Sequence, residues 1–367
     1  MRNGSTNQSD EILAANSDFV PTAFSGPHQE SDLPPVDWQT AMKRAIRSPR
    51  ELRQILGLED PLPIPPGTER SEPPKYEQDF GTFVPLEFLS LMRHGDPADP
   101  LLRQVLSVPA EGQSASGFTA DPVGDLQALA SHGVLHKYHG RALVLTTGAC
   151  GVHCRYCFRR EFPYQSTSSR SDDWRPSLDY LRENEDVEEV ILSGGDPLTT
   201  TDGKLSELLT SIEAIDHVRR LRIHSRMPVV IPQRVTPELI ERLAKSRLAV
   251  WMVIHANHPR ELSANVLAGL GRLVDAGIPV LNQAVLLRGV NDEANALIEL
   301  CRTLVNHRVQ PYYLHQLDRV QGAAHFEVSV ERGQQLISKL RDVLPGYAVP
   351  QYVVEEAGSP SKTPIRP

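Results

Sequence analysis

Residues 142–160 read ALVLTTGACGVHCRYCFRR, a short apolar run followed at once by three closely spaced cysteines. The run 142–147 is rich in aliphatic and β-branched residues and has the length of a buried strand. Cys150, Cys154 and Cys157 then follow with the spacing C-x3-C-x2-C. The stretch therefore predicts a first buried strand whose carboxyl end leads into a loop that carries three thiols.

From this strand onward, apolar runs of strand length alternate with patterns of helical period, which is typical of a parallel sheet with right-handed crossovers. The number of units fits an open or partial barrel better than a closed eight-stranded barrel. We therefore predict an α/β protein with a partial (β/α)6 barrel, whose chemistry lies at the carboxyl ends of the strands. The predicted strands are 142–147, 187–194, 219–226, 248–256, 279–287 and 310–316, with a last strand at 348–356.

The chain has 367 residues, more than one ordinary core needs. Its N-terminal part differs from the rest in polarity and in the spacing of its apolar residues. The first 36 residues are polar and lack periodicity, which predicts a flexible tail. Apolar residues then recur at helical spacing over 37–57 and end on Gly57, which predicts a helix. We predict four parts: a flexible tail at 1–36, an N-terminal helical region at 37–130, the barrel at 131–356 and a C-terminal tail at 357–367.

Composition excludes several classes of protein. The formal net charge of -8 argues against a surface that coats nucleic acid. The sequence contains no apolar run of membrane-spanning length, and its polar, acidic first residues lack the apolar core of a secretory signal. We therefore expect a cytoplasmic protein, in which thiols stay reduced. Clustered cysteines in such a protein indicate metal binding or catalysis and not a disulfide framework.

Three thiolates on one loop suit three corners of a cubane iron–sulfur cluster, which leaves the fourth iron open to another molecule. Zinc is the alternative, with His153 as a fourth ligand, although His153 adjoins Cys154 and both side chains would have to reach one ion. The chain would then be a zinc-stabilised binding module without catalysis. Cys301 lies within an apolar helical pattern, which indicates a buried core cysteine rather than a fourth ligand.

The cysteine spacing after the first strand of a β/α array resembles the radical S-adenosylmethionine superfamily. SGGDP at 193–197 resembles the glycine-rich stretch of that superfamily, where backbone without Cβ atoms lets a ligand approach. The resemblance implies a [4Fe–4S] cluster, held by the three cysteines, that cleaves S-adenosylmethionine to a 5′-deoxyadenosyl radical. It implies contacts to S-adenosylmethionine from Ser193, Gly194, Gly195, Asp196, His255 and Gln283.

Further motifs narrow the resemblance to lysine 2,3-aminomutase, and it covers about residues 130–364. It implies an isomerase of the radical S-adenosylmethionine type that also uses pyridoxal 5′-phosphate and moves an amino group from C2 to C3 of L-lysine. Such a shift needs a strong hydrogen abstractor and a cofactor ring that spreads the unpaired electron. The motifs occur in the family's order: CRYCFRREF, SGGDPL, RMPVVIPQRVTPELI, NHPREL, NQAVLLRGVND, RVQPYYLHQLD and SKTP.

The resemblance also implies the cofactor lysine. The family's Schiff-base lysine stands in a small-residue loop before Thr-Pro, as Lys362 does in GSPSKTP. Composition alone would make Lys362 a solvated tail residue. The family's loop is a run of glycines, and its longer members continue past this lysine into an oligomerisation segment, so this chain departs from the pattern twice. Tyr138 and Arg141 match residues near the cofactor's phosphate, where a guanidinium neutralises charge.

Three further residues match the family's substrate contacts. Arg159 matches the arginine that pairs with the substrate carboxylate. Asp318 matches one of two carboxylates that hold the ε-ammonium, and Glu355 occupies the place of the second, where the longer aminomutases have aspartate. Two acidic groups that face one ammonium favour lysine over a neutral or acidic substrate. Without the match, Arg159 would be a surface cation and the two carboxylates ordinary loop residues.

Phe158, HSRMPVVIPQRV, Glu355 and the short C-terminus are similar to a bacterial branch of the family. Members of that branch make (R)-β-lysine, which a lysyl-tRNA-synthetase-like ligase attaches to translation elongation factor P. The resemblance thus implies free L-lysine, a reductant such as flavodoxin or ferredoxin, that ligase and elongation factor P as partners. An aminomutase for glutamate or arginine is the alternative, although the side-chain carboxylate of glutamate would need a cation at the positions of Asp318 and Glu355.

Overall fold

The computed structural model describes residues 33–59, 76–77, 80–167 and 174–366. Within these ranges one ten-stranded sheet organises the chain, and its strands neighbour one another in sequence order. The strands are β1 Leu129–Ser131, β2 Val134–Tyr138, β3 Arg141–Thr147, β4 Glu189–Gly194, β5 Arg220–Ser225, β6 Ala249–His255, β7 Val280–Val285, β8 Gln310–His315, β9 Gln351–Val354 and β10 Thr363–Pro364.

Strands β3 to β9 run parallel, and antiparallel strands flank them on both sides. Within the described residues the two outer strands, β1 and β10, do not pair with each other, so the sheet is an open barrel. The predicted fold class, α/β with a partial barrel, is confirmed. The parallel part contains the six predicted strands and the last strand expected at 348–356.

Each connection between neighbouring parallel strands contains at least one helix, as the alternating pattern predicts. Among the described residues, no helix has both the length and the apolar character needed to cross a membrane. The α-helices are α1 Trp38–Lys43, α2 Pro49–Ile55, α3 Leu86–Leu89, α4 Tyr164–Thr167, α5 Arg175–Glu183, α6 Asp202–Glu213, α7 Met227–Val230, α8 Pro237–Ala244, α9 Ala264–Asp275, α10 Ala294–Asn306 and α11 Val330–Val343.

Helix α8 illustrates how local sequence sets these elements. Thr236 precedes it in an extended conformation, and its Oγ1 accepts a hydrogen bond of 3.1 Å from the Leu239 N–H. Pro237 occupies the first turn, where its missing N–H is not needed. Leu239 and Leu243 share one face and are buried, which contributes about 1.5–3 kcal/mol for each side chain.

The prediction of one helix over 37–57 is wrong. Helices α1 and α2 occupy this stretch, with a break before Ser48. A proline disfavours helical backbone at the residue before it, and Ser48 is accordingly extended and caps α2 through its Oγ. Gly57 ends α2 with a left-handed φ of 64°, as expected. Residues 1–32 of the predicted tail lie outside the described residues.

The N-terminal region and the barrel bury a common core. Trp38, Phe88 and Leu102 belong to the same buried hydrophobic cluster as Leu192 of β4 and Ile254 of β6. The division of the chain into four parts stays a prediction, but this packing joins region 37–130 to the outside of the barrel. The residues around the cysteine loop therefore come from both parts.

A buried ion pair holds the cysteine loop to the N-terminal region. Arg155 lies between two of the cysteines, and its Nη2 is 2.5 Å from Oε2 of Glu111, with both side chains fully buried. Arg160 reaches the same carboxylate at 3.0 Å. The Arg155 N–H donates to the carbonyl of Gln104 at 2.8 Å, and the His153 N–H donates to that of Phe83 at 3.0 Å. The loop is thus fixed from behind at several points.

Candidate active site

A cavity of about 940 Å³ lies inside the open barrel, and the predicted site residues line it. At one end the cysteine loop closes it, and at another Glu355 and Lys362 approach from the last strands. The structure thus brings together residues that span most of the chain: Tyr138, Arg141, Cys150, Cys154, Cys157, Arg159, Ser193, Gly194, Gly195, Asp196, His255, Gln283, Asp318, Glu355 and Lys362.

The three thiols of the loop are half-buried and lie close enough to influence one another. Burial and then the charge of Cys157 raise the pKa of Cys150 well above its ordinary value. Burial and then Cys154 raise the pKa of Cys157 to about 11. Thiolates grouped in this way are costly unless a cation neutralises them, as iron in a cluster does. The donor set therefore fits a metal cluster.

The geometry does not favour the zinc alternative. His153 Nδ1 lies 2.9 Å from the Gly81 carbonyl oxygen, and its ring stacks on Phe80 with centroids 5.1 Å apart. In the described part of the chain, no three His, Cys, Asp or Glu side chains converge as one ion requires. Tetrahedral zinc, with Zn–S bonds of about 2.3 Å, needs such convergence, whereas a cubane binds each thiolate at a different iron.

The turn after β4 packs directly against the start of the cysteine loop. The Gly195 N–H donates to the Thr147 carbonyl at 2.7 Å, and the Asp196 N–H donates to the Ala149 carbonyl at 2.7 Å. Gly194 has a left-handed φ of 112°. A Cβ on Gly195 would come within 2.3 Å of the Ala149 oxygen, so this close approach requires glycine. The glycine-rich turn and the cysteine loop form one continuous wall of the cavity.

The side chain of Asp196 is used within the protein. It accepts hydrogen bonds from the Ser225 hydroxyl at 2.7 Å and from the N–H groups of Arg226 and Met227 at 2.7 and 3.1 Å. The Leu198 N–H adds a fourth bond at 3.0 Å. This carboxylate therefore joins the turn after β4 to the end of β5, while its contact with S-adenosylmethionine stays a prediction.

His255 and Gln283 stand side by side as register partners on β6 and β7. His255 Nε2 lies 2.8 Å from Oη of Tyr156, a residue of the cysteine loop. Burial, followed by the nearby cation of Arg226, lowers the pKa of His255 well below its ordinary value, so the imidazole is neutral. Because it is neutral, the His255 ring beside the cysteine loop can form a hydrogen bond with a ligand but not an ion pair.

A chain of alternating charges crosses the other end of the cavity. Arg159 Nε lies 2.6 Å from Oδ2 of Asp125, and Lys137 Nζ lies 2.6 Å from Oδ1 of the same carboxylate. Lys137 also pairs with Glu355 at 2.9 Å, and Glu355 pairs in turn with Lys362. Asp125 and Lys137 are site residues that sequence analysis missed, because neither belongs to a motif that matches the family.

The two predicted ammonium ligands differ in electrostatic state. Burial acts to raise the pKa of Glu355, but Lys362 and Lys137 outweigh it and lower the pKa to about 2. Burial and then Glu355 raise the pKa of Asp318 to about 7, against the smaller opposing effects of Lys362 and Lys137. Glu355 is therefore fully ionised near neutrality, whereas Asp318 is only partly ionised. An added cation beside Asp318 would complete its ionisation.

Two histidines without a sequence-based role also line the cavity. Nε2 of His224 is buried without a hydrogen-bond partner in the described structure. Burial lowers the pKa of His315 to about 3. At the amino end of β3, the Arg141 guanidinium lies 4.6 Å from the centre of the Tyr138 ring. These groups offer neutral imidazoles and a cation to whatever fills the cavity.

The amino-acid sequence is similar to those of known enzymes. The profile of the radical SAM superfamily matches residues 144–301. The chain is 43% identical over 329 residues to the L-lysine 2,3-aminomutase of Escherichia coli (strain K12), which covers 90% of this chain and 94% of that protein. Identity to the L-lysine 2,3-aminomutase of Haemophilus influenzae is 41%, over 89% and 95% of the two chains. For that of Clostridium subterminale it is 36%, over 92% and 79%.

Replacement of one loop thiol tests the fit to a metal cluster. We expect Cys154→Ala to lose most of its iron and sulfide after anaerobic reconstitution, because one corner of the cluster has no ligand. Cys301→Ala is the matched control, since Cys301 is buried in α10 and does not line the cavity. Iron and acid-labile sulfide are measured per chain. A full complement in Cys154→Ala would contradict the ligand role of this residue.

Proposed function

The chain belongs to the L-lysine 2,3-aminomutase family of radical S-adenosylmethionine enzymes, and we propose that it converts (S)-α-lysine to (R)-β-lysine. Members of this family are isomerases, and their cofactors are a [4Fe–4S] cluster, S-adenosylmethionine and pyridoxal 5′-phosphate. One observation carries the proposal for this chain. A single cavity holds three thiols, a lysine, an arginine and two carboxylates, all at positions that match the family.

The cofactors define the chemistry, and the residues define the geometry. When bound, the cluster and S-adenosylmethionine supply a hydrogen-abstracting radical, and pyridoxal phosphate supplies a conjugated ring that carries the migrating nitrogen. In our proposal Cys150, Cys154 and Cys157 hold three irons and leave the fourth for S-adenosylmethionine. Gly194 and Gly195 lack the Cβ atoms that would collide with the carbonyl oxygens of Thr147 and Ala149, so the turn after β4 can lie directly against the cysteine loop beside the proposed ligand site.

Lys362 is the residue that we propose to hold pyridoxal phosphate through Nζ. In the structure its ammonium pairs with Glu355. With pyridoxal phosphate held at Nζ, the Glu355 oxygen that faces Lys362 would be available, while Lys137 would keep the other. The freed oxygen can then accept the ε-ammonium of the substrate. Tyr138 and Arg141 line the same cavity as Lys362, and the Arg141 cation suits the cofactor's phosphate.

The substrate's own charges decide its orientation. Lysine has a carboxylate at one end and an ammonium at the other, which match Arg159 and the pair of Asp318 and Glu355 respectively. Glutamate would bring its side-chain carboxylate against the carboxyl groups of Asp318 and Glu355, of which Glu355 keeps its ion pair with Lys137. Repulsion at that end supports lysine as the substrate. Arginine, which is also cationic, is the remaining competitor.

We further propose that the product serves the modification of elongation factor P in the cytoplasm. The motif HSRMPVVIPQRV and Glu355 are similar to the bacterial branch of the family with that role. The radical reaction needs one electron, from a donor such as flavodoxin or ferredoxin. A ligase of the lysyl-tRNA-synthetase type would consume the (R)-β-lysine. Elongation factor P is incubated with that ligase, lysine and the active enzyme, and is then hydrolysed. Chromatography of the released amino acids tests this role, because it separates β-lysine from its isomer α-lysine.

The reaction itself is tested by anaerobic incubation with a choice of substrates. Reconstituted enzyme receives S-adenosylmethionine, dithionite and lysine, glutamate or arginine in separate reactions. We expect β-lysine alone, because the carboxylate pair repels glutamate and the relatives that the chain matches are L-lysine 2,3-aminomutases. Products are separated by chromatography after derivatisation. Formation of β-glutamate or β-arginine at an equal or greater rate would contradict the substrate assignment.

Removal of the cofactor lysine has a spectroscopic consequence. We expect Lys362→Ala to keep its cluster but to lose the pyridoxal that borohydride fixes to the wild-type chain, because the only proposed attachment site is gone. Lys339→Ala is the control, since Lys339 lies on the exposed face of α11. Peptide mass spectrometry locates the reduced adduct. Undiminished labelling of Lys362→Ala would mean that another lysine holds the cofactor.

The partial ionisation of Asp318 predicts a pH dependence. Because its pKa is about 7, Asp318 gains charge as the pH rises from 6 to 8, while lysine keeps its ε-ammonium. The KM for lysine should therefore fall over this range. Asp318→Asn should raise the KM by about 30-fold or more, since loss of one buried charged partner costs about 2–5 kcal/mol, and should abolish this trend. A KM that still falls with pH in Asp318→Asn would contradict the assignment to Asp318.

A further inference from the structure

A buried arginine directly after β5 contacts the cysteine loop. It begins the motif RMPVVIPQRVTPELI, but the sequence analysis assigned it no role. Arg226 is 6% exposed, and its Nη1 lies 2.7 Å from Sγ of Cys154. The same nitrogen lies 2.8 Å from Oη of Tyr156. Nη2 donates to Oε1 of Gln104 at 2.7 Å and to Oε2 of Glu261 at 2.9 Å. One guanidinium thus connects a predicted cluster ligand to three buried polar groups.

The surroundings fix this guanidinium in place. Its centre lies 5.3 Å from the ring centroid of Phe88 and 5.8 Å from that of Tyr156. Glu261, which is fully buried, also accepts hydrogen bonds from the N–H groups of Asn257 and His258 at 2.9 and 3.0 Å. The carboxylate that pairs with Arg226 is therefore itself anchored. Neither partner can turn away from the loop without leaving a buried charge unpaired.

These contacts leave little capacity for a small-molecule ligand. Both terminal nitrogens of Arg226 are engaged by protein atoms, and among the residues that the structure describes Nε alone has no partner. To bind the carboxylate of a ligand, the guanidinium would have to give up Glu261 or Cys154. The geometry instead directs one N–H of a cation at a sulfur atom.

We propose that Arg226 is a positioning residue that makes the cluster easier to reduce, through a charged hydrogen bond to the sulfur of Cys154. The inference rests on the proposed role of Cys154 as a cluster ligand. Reduction adds one electron to the cluster, supplied by a flavodoxin- or ferredoxin-type donor or by dithionite, and no bond forms or breaks. Hydrogen bonds to ligand sulfurs and nearby positive charge stabilise the more negative, reduced state and raise its potential.

The test measures the midpoint potential of the cluster in reconstituted full-length protein. Wild type and Arg226→Gln are titrated with dithionite, and the reduced cluster is followed by electron paramagnetic resonance. We expect a more negative midpoint in Arg226→Gln, because both the cation and its directed N–H are lost. Arg234→Lys is the matched control: Arg234 is also fully buried and pairs with Asp202 at 2.8 Å, but does not line the cavity. Its midpoint should equal that of wild type.

A second variant protects the test against misfolding of Arg226→Gln. Glu261→Gln keeps Arg226 and removes the negative charge opposite it, so the midpoint should shift in the positive direction. A purely structural role for Arg226 would not produce shifts of opposite sign. Unchanged midpoints in both variants at full iron content, or a negative shift in Glu261→Gln, would overturn the proposal for Arg226 alone. Wild-type protein that binds no iron or sulfide would overturn the proposed function instead.

Discussion

The fully buried ion pair between Arg155 and Glu111 is the contact on which the geometry of the site depends. It joins the loop between two predicted cluster ligands to the 3-10 helix Pro109–Gly112 outside the barrel. A buried charge is tolerated only with its partner, so the N-terminal region cannot detach from the loop without a large cost. Part of the machinery that holds the thiols is therefore supplied by residues outside the barrel itself.

The substrate end of the cavity follows the same rule of compensated charge. Cationic and anionic side chains alternate here in the order Arg159, Asp125, Lys137, Glu355 and Lys362. Each charged group therefore has a partner of opposite charge within the protein before any ligand binds. The carboxylate and the ε-ammonium of an entering lysine then exchange partners within the series and do not add unpaired charge to the interior. Such exchange lowers the desolvation cost that an isolated pocket of charges would impose on its substrate.

Local pattern and spacing were sufficient for the parallel strands, the open barrel and the three-cysteine loop, because those signals lie within a few residues of one another. Pro49 also indicates a break in the helix, but the continuous apolar periodicity over 37–57 led to the prediction of a single helix. Sequence analysis could not predict the roles of Asp125, Lys137 and Arg226, because these roles depend on contacts with residues far away in the sequence. Lys137 and Glu355 are 218 residues apart, and Arg226 and Cys154 are 72. Lys362, Asp318 and Glu355 became candidates only through resemblance to a family.

The antiparallel pairing of β10 with β9 has a mechanical consequence. Thr363 faces Val354 across this pairing, so Glu355 and Lys362 are the first and last residues of the loop that connects the two strands. One hairpin therefore sets the positions of both the proposed cofactor lysine and a proposed substrate carboxylate. A change in the length of the loop that joins its two strands would alter cofactor attachment and substrate selectivity together.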